Sequence, residues 1–288
     1  MGKHVEERTA LVTGAIRGIG LAIARSLAAR GIRTVLTYYD WLDDLEEMHR
    51  TMKETGTPYH AVSADLRDKT HAENAVEEAI RQFGRLDILV NNIERGGWPV
   101  VHGAYTPEQW ELEFNTTITA KWNLFNSALP YLRKGRMSSV INIGSIAGMT
   151  GRTGPAGLVF NDCYSLANRA LGLLTRQWAR MGAPEVRVNE LILGFFETRH
   201  GPGTRGWGLL TSKQKEAILQ HTPLKRTGSL KDITSAIDYL VFDASFMTGS
   251  RIVLDGGYIL GCEGVPELPD GVVQPGESTF GGSRAPEC

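Results

Sequence analysis

Short β-branched runs that alternate with longer amphipathic stretches constrain this chain more than any other feature of its sequence. Thr9–Thr13, Thr34–Tyr38, Tyr59–Ser63, Leu86–Asn91, Ser139–Ile143, Val186–Leu193 and Arg251–Asp255 read as strands. Helical patterns cover Ile19–Arg30, Leu42–Thr55, Thr70–Phe83, Thr106–Arg133 (with a break near Asn115), Tyr164–Met181 and Leu230–Val241. In the first helix Ile19, Ile23 and Leu27 share one face, and Gly31 marks the stop. Strands with continuous apolar runs, joined through helices, imply a parallel sheet covered on both sides. The expected fold is one α/β domain over residues 1–260, a doubly wound sheet of about seven parallel strands with helices on both faces. Residues 261–288 break the pattern. Four Pro, six Gly, five acidic residues and one Arg predict an acidic, irregular tail.

Composition excludes several functions. The 288 residues carry 31 Lys+Arg against 32 Asp+Glu, a formal net charge of −1. That balance argues against binding nucleic acid through massed phosphate contacts. No apolar run approaches the about 18 residues of a membrane span, and Met1–Ala10 is too charged for a signal peptide. Cys163, Cys262 and Cys288 form no CxxC pair and no metal-ligand spacing. An odd count suits a reducing cytoplasm better than a disulfide framework.

Between the first strand and the first helix lies Thr13-Gly14-Ala15-Ile16-Arg17-Gly18-Ile19-Gly20. Glycines there let the backbone turn tightly and approach a phosphate. The helix start adds free N–H groups and the positive end of its dipole. A strand, a glycine turn and a helix in this order are the pattern of a dinucleotide site in a Rossmann-like domain. Over about residues 6–260 the chain resembles the short-chain dehydrogenase/reductase family. The resemblance rests on TGxxxGxG at Thr13–Gly20, on Asp65-Leu66, and on Asn91-Asn92 where the family begins NNAG. It rests also on Ile141–Gly148 (INIGSIAG), Tyr164–Asn168 against YxxxK, Asn189–Thr198, Thr248-Gly249 and Asp255-Gly256-Gly257.

The resemblance implies a nicotinamide-dependent oxidoreductase. It implies that Gly14, Arg17, Gly18, Ile19, Gly20, Tyr38, Asp65, Leu66, Asn91, Asn168, Gly194 and Thr198 bind the cofactor. Ser145, Tyr164, Asn168 and Thr117 fall at the catalytic positions. A homodimer or homotetramer is implied too, packed through helices near Thr117–Arg133 and Tyr164–Met181, with Ala167, Leu171 and Leu174 suited to that face. An acidic residue ending the second strand would bind ribose hydroxyls and repel a 2′-phosphate. Tyr38 stands there instead, and Arg17 can pair with a 2′-phosphate. NADP is therefore expected, with NAD as the alternative because Asp40 lies just beyond.

The catalytic pattern then departs from the family. Asn168 replaces the lysine of YxxxK, and Thr117 replaces the helix asparagine, with Asn115 two residues early. NNAG reads Asn91-Asn92-Ile93-Glu94, and Leu193 stands where proline precedes Gly194. Eighteen residues separate Ser145 from Tyr164, which places an insertion within Gly151–Asp162 at the site's mouth. A unit charge ~5 Å away is worth ~3 kcal/mol at an effective dielectric of ~20. Without the lysine, Tyr164 should stay protonated, which hinders reduction less than oxidation. Lys121, Arg152, Arg169 and His200 are the candidate substitute cations. Glu94 calls for a partner such as Arg95 or Arg17, and is an alternative acid/base.

Phe195, Phe196 and Trp207 lie in or beside Gly201–Gly208, a glycine-hinged lid, with Trp98 and Phe160 as further candidates for the mouth. They predict a bulky apolar or aromatic carbonyl substrate. Two other functions stay open. One is a nucleotide-binding sensor or inactive subunit with little redox turnover. The other is a non-redox isomerase or dehydratase assisted by Glu94.

Overall fold

The computed structural model describes residues 8–94, 106–135, 137–196, 198 and 210–265. Seven strands form one parallel sheet: β1 (Thr9–Val12), β2 (Arg33–Tyr38), β3 (Tyr59–Ser63), β4 (Ile88–Asn91), β5 (Ser138–Ser145), β6 (Val186–Leu193) and β7 (Arg251–Leu254). Their order is β3-β2-β1-β4-β5-β6-β7. The chain winds outward from β1 to β3, then returns to β4 beside β1. A crevice opens outside the strands' carboxyl ends where that direction reverses.

Helices cover both faces: α1 (Gly18–Ala28), α2 (Leu45–Lys53), α3 (Lys69–Phe83), α4 (Pro107–Phe114), α5 (Ala120–Leu132), α6 (Ala147–Thr150), α7 (Asp162–Gly182), α8 (Ser212–His221) and α9 (Leu230–Asp238). Strand alternation sorts the core. Ala10, Val12, Ile88 and Val90 pack toward α1, α2 and α9. Leu11, Val35 and Leu89 pack toward α3, α5 and α7. Caps set several helix ends. Asp68 accepts from Thr70 N–H at 2.7 Å to start α3, and Gly84 ends it in the left-handed region at φ 76°.

The predicted helix over Thr106–Arg133 is two helices joined by a π turn over Asn115–Thr119. Four consecutive β-branched residues, Thr116 to Thr119, crowd a regular helix. Thr116 Oγ1 donates to Leu112 O at 2.7 Å and Thr119 Oγ1 to Asn115 Oδ1 at 2.9 Å, which satisfies the looser turn. β5 runs further than predicted, so Ser145 is its last residue. The insertion follows α6 and folds locally around a 3-10 turn over Gly154–Leu158. α8 has no counterpart in the sequence reading, because Ile218 is its one buried residue. Trp98, Trp207, the lid Gly201–Gly208 and residues 266–288 of the tail lie outside the described residues.

Candidate active site

A cavity of about 350 Å³ opens at the carboxyl ends of the strands. Gly14, Arg17, Gly18, Ile19, Gly20, Tyr38, Asp65, Leu66, Ser145, Tyr164, Gly194 and Thr198 line it. Asn91, Thr117 and Asn168 do not. Asn91 is buried in β4, where Nδ2 donates to Asn142 Oδ1 at 2.8 Å. Its neighbour Asn92 faces the cavity instead and donates Nδ2 to Thr13 O at 3.0 Å and Gly14 O at 3.2 Å.

The glycine loop has the shape a pyrophosphate needs. Gly14 sits at φ +59°, and a Cβ on Gly20 would strike Gly14 O, with Asn92 Nδ2 at 2.7 Å. Arg17, the N-cap of α1, makes no side-chain cap, the first turn holds no acidic residue, and its residues Gly18, Ile19 and Gly20 line the cavity, so the helix start is open to an anion there. These groups suit a dinucleotide phosphate.

The adenine end is more charged than the sequence suggested. β2 ends at Tyr38, and both Tyr38 and Asp40 just beyond it line the cavity. Arg17 donates to Asp44 Oδ2 at 2.6 Å and lies over the Trp41 ring at 5.0 Å. Arg67, which the sequence reading missed, grips Asp65 through Nε at 2.8 Å and Nη2 at 2.5 Å and lies over Tyr39. Arg67 holds the Asp65 carboxyl below its ordinary range. The spacing Asp65-x-Arg67 at a strand exit was the available signal.

At the catalytic end β5 delivers Ser145, and Asn161 caps α7 by accepting from Tyr164 N–H at 2.8 Å. α6 bridges them: a Cβ on Gly148 would come within 2.6 Å of the Asn168 carbonyl carbon, so the two backbones touch. That contact brings Ser145 and Tyr164 together across a long insertion. Ser145 Oγ accepts from Ala147 N–H at 3.2 Å. Burial pushes the Tyr164 phenol well above its ordinary range. The Glu94 carboxylate adds to the shift, while Ser145 opposes it. Phe160 and Phe195 stack at 5.8 Å and 12° to wall the mouth.

Thr117 is buried and donates Oγ1 to Glu113 Oε1 at 2.9 Å. Asn168 is buried; its Nδ2 donates to Glu94 Oε1 at 2.9 Å and Tyr164 O at 3.1 Å, and its Oδ1 has no partner. Glu94 therefore pairs with Asn168. The expected partner Arg17 is held by Asp44, and Arg95 lies outside the described residues.

Among the candidate cations, Arg152 is exposed and 3.7 Å from Asp162, Arg169 is exposed, and His200 lies outside the described residues. Lys121 is fully buried and donates Nζ to Ile143 O at 2.9 Å. Burial lowers its pKa, against Glu94, Glu190 and Glu113. Glu190, raised by burial, accepts from Arg251 Nε at 2.7 Å. Charged residues at Glu113, Lys121 and Glu190 thus occupy a core that the strand and helix patterns read as apolar. Ala167 and Leu171 likewise join a core with Ile118, while Leu166 and Leu173 carry the exposed face of α7.

The family described as enoyl-(acyl carrier protein) reductase matches residues 14–259. A Streptomyces violaceoruber protein, named ketoacyl reductase 2 of the granaticin polyketide synthase, is 34% identical over 255 residues, 88% of this chain and 96% of that one. The Staphylococcus aureus 3-oxoacyl-acyl-carrier-protein reductase FabG is 29% identical over 254 residues, 87% of this chain and 97% of its own. The Pseudomonas aeruginosa RhlG/NADP active-site complex superposes with a TM-score of 0.76 at 28% identity, over 88% of this chain and 97% of that one. A match of this extent makes the chain a member of the short-chain dehydrogenase/reductase family of NAD(P)-dependent oxidoreductases.

Proposed function

We propose that the protein uses NADP(H) to reduce a carbonyl group on a bulky apolar or aromatic small molecule. The observation that carries this reading is the Ser145–Tyr164 pair facing a cavity walled by Phe160 and Phe195. The bound nicotinamide supplies a hydride. Ser145 donates to the carbonyl oxygen and polarises it. Tyr164, kept protonated by burial, gives its proton to the oxygen as negative charge develops there. The stacked rings exclude water from the reacting carbon. NADP is favoured because β2 ends at uncharged Tyr38 and because Arg17 and Arg67 line the adenine end. Asn168 is fully buried off the cavity lining and holds Glu94 there, so the residues proposed to hold the nucleotide are those of the glycine loop and the cavity wall.

The names of the ketoacyl reductases among the relatives add a ketoacyl thioester to the substrates worth testing. Exposed Trp122 on α5 and Leu166 and Leu173 on α7 support a homo-oligomer packed through those helices. Free Cys163 and Cys262 suit the cytoplasm, and no described helix is long and apolar enough to cross a membrane.

A second reading has its own observation: Thr117 and Asn168 both sit off the cavity lining, which favours a nucleotide-binding protein with little turnover. NADPH oxidation against aromatic ketones, quinones and a ketoacyl thioester separates the two. Turnover that falls ~100-fold or more in Tyr164→Phe supports the reductase. A silent wild type that still binds NADPH gives the lead to the second reading.

A further inference from the structure

Glu94 occupies a position that the NNAG pattern reserves for glycine, yet the fold carries it to the centre of the site. Thr13 sets its course. Its hydroxyl accepts from the N–H groups of Asn92 at 2.9 Å and Ile93 at 3.0 Å, which folds the chain after β4 over the glycine loop. Glu94 then lines the cavity beside Ser145 and Tyr164, while its partner Asn168 lies behind it. Asn168 Nδ2 donates to Glu94 Oε1 at 2.9 Å and to Tyr164 O at 3.1 Å, so one amide ties the carboxylate to the residue that carries the phenol. Buried Lys121 on α5 donates Nζ to Ile143 O at 2.9 Å and interacts electrostatically with Glu94, Glu190 and Glu113. The titratable groups that act on Glu94 are thus the Tyr164 phenol and the Lys121 amine.

We propose that Glu94 is a catalytic residue that returns a proton to Tyr164 after each reduction, with Asn168 positioning it. The proposal rests on the carbonyl-reductase reading. As hydride adds to the carbonyl carbon, the π pair moves to oxygen, and Tyr164 passes its phenolic proton to that oxygen. The phenolate left behind has no lysine ammonium to stabilise it in a largely desolvated pocket. The Glu94 carboxylate takes up a proton from solvent at the cavity mouth and hands it on to the phenolate, which restores both the carboxylate and the phenol. The carbonyl gains one hydride and one proton, and the nicotinamide is left oxidised.

The test compares wild type, Glu94→Gln, Glu94→Asp and Tyr164→Phe by steady-state kinetics, NADPH affinity and phenolate absorbance. For absorbance, each protein is titrated against its own Tyr164→Phe counterpart, so the difference reports Tyr164 alone. Glu94→Gln is expected to lose ~10–100-fold in kcat, with NADPH affinity within about threefold. Its Tyr164 phenol should titrate at lower pH than in wild type, because a negative charge beside it is gone. Glu94→Asp, which keeps the carboxylate, should retain more kcat than Glu94→Gln.

An active wild type whose kcat and Tyr164 titration are unmoved in Glu94→Gln overturns the proposal and leaves the reductase reading standing. A ~10-fold loss of NADPH affinity with kcat retained overturns it too, since Glu94 would then be a ribose ligand. A wild type silent on every carbonyl, or a fully active Tyr164→Phe, removes the reductase reading and the proposal with it.

Discussion

Gly20→Ala sets two opposed effects against each other. In an exposed helix the change is favourable by up to ~1 kcal/mol, because alanine loses less backbone entropy than glycine. At Gly20 the new Cβ would press on Gly14 O and come within 2.9 Å of Ala15 Cα and 2.7 Å of Asn92 Nδ2. Asn92 can swing aside, but the other two contacts are backbone and cannot rotate away. Overpacking of that kind costs about 1–3 kcal/mol, so with the helix gain set against it the net effect is destabilising by up to about 2 kcal/mol. For a chain of this size that lowers Tm by up to about 8 °C. The loop must also shift away from α1, which moves the phosphate cradle, and 1.4 kcal/mol of lost interaction is about tenfold in Kd. Thermal unfolding and NADPH titration read both effects. A variant with a raised Tm and unchanged NADPH affinity would refute the close-contact reasoning.

Other outcomes follow from the charges. Arg17→Ala or Arg67→Ala should weaken NADPH about tenfold more than NADH, since a charge-assisted hydrogen bond is worth about 1.5–3 kcal/mol; equal losses for both nucleotides would remove these arginines from 2′-phosphate recognition. Lys121 has a folded pKa below 10.5, so its buried ammonium opposes folding below that folded value, and the opposition fades as pH rises toward 10.5. Wild type should therefore gain stability relative to Lys121→Met between neutral and alkaline pH in denaturant melts, and a pH-independent difference would contradict the burial. Asn168→Lys added to Glu94→Gln should recover much of the lost kcat by restoring a cation near Tyr164, whereas Asn168→Lys alone should pair with Glu94 and gain less. Equal gains in both backgrounds would separate Glu94 from Tyr164.

Local pattern was enough for much of this molecule. Continuous β-branched runs alternating with amphipathic stretches dictated a parallel α/β sheet, because each element must bury its apolar surface on a neighbour. The glycine spacing from Gly14 to Gly20 marked a phosphate cradle, because only glycine tolerates that turn and approach. Ser145 and Tyr164 were legible for a similar reason: each sits at an element end that points into the crevice. Local pattern failed where distant residues meet. Nothing near Glu94 in sequence announces Asn168, 74 residues away, and nothing near Arg17 announces Asp44. The π turn before α5 sends Thr117 to Glu113 and turns Lys121 into the core, a rotation that periodicity cannot register. Sheet register, the backbone contact of α6 with α7 and the Thr13 clamp decide those meetings. They are properties of packing, which selects among partners that composition and spacing leave equivalent.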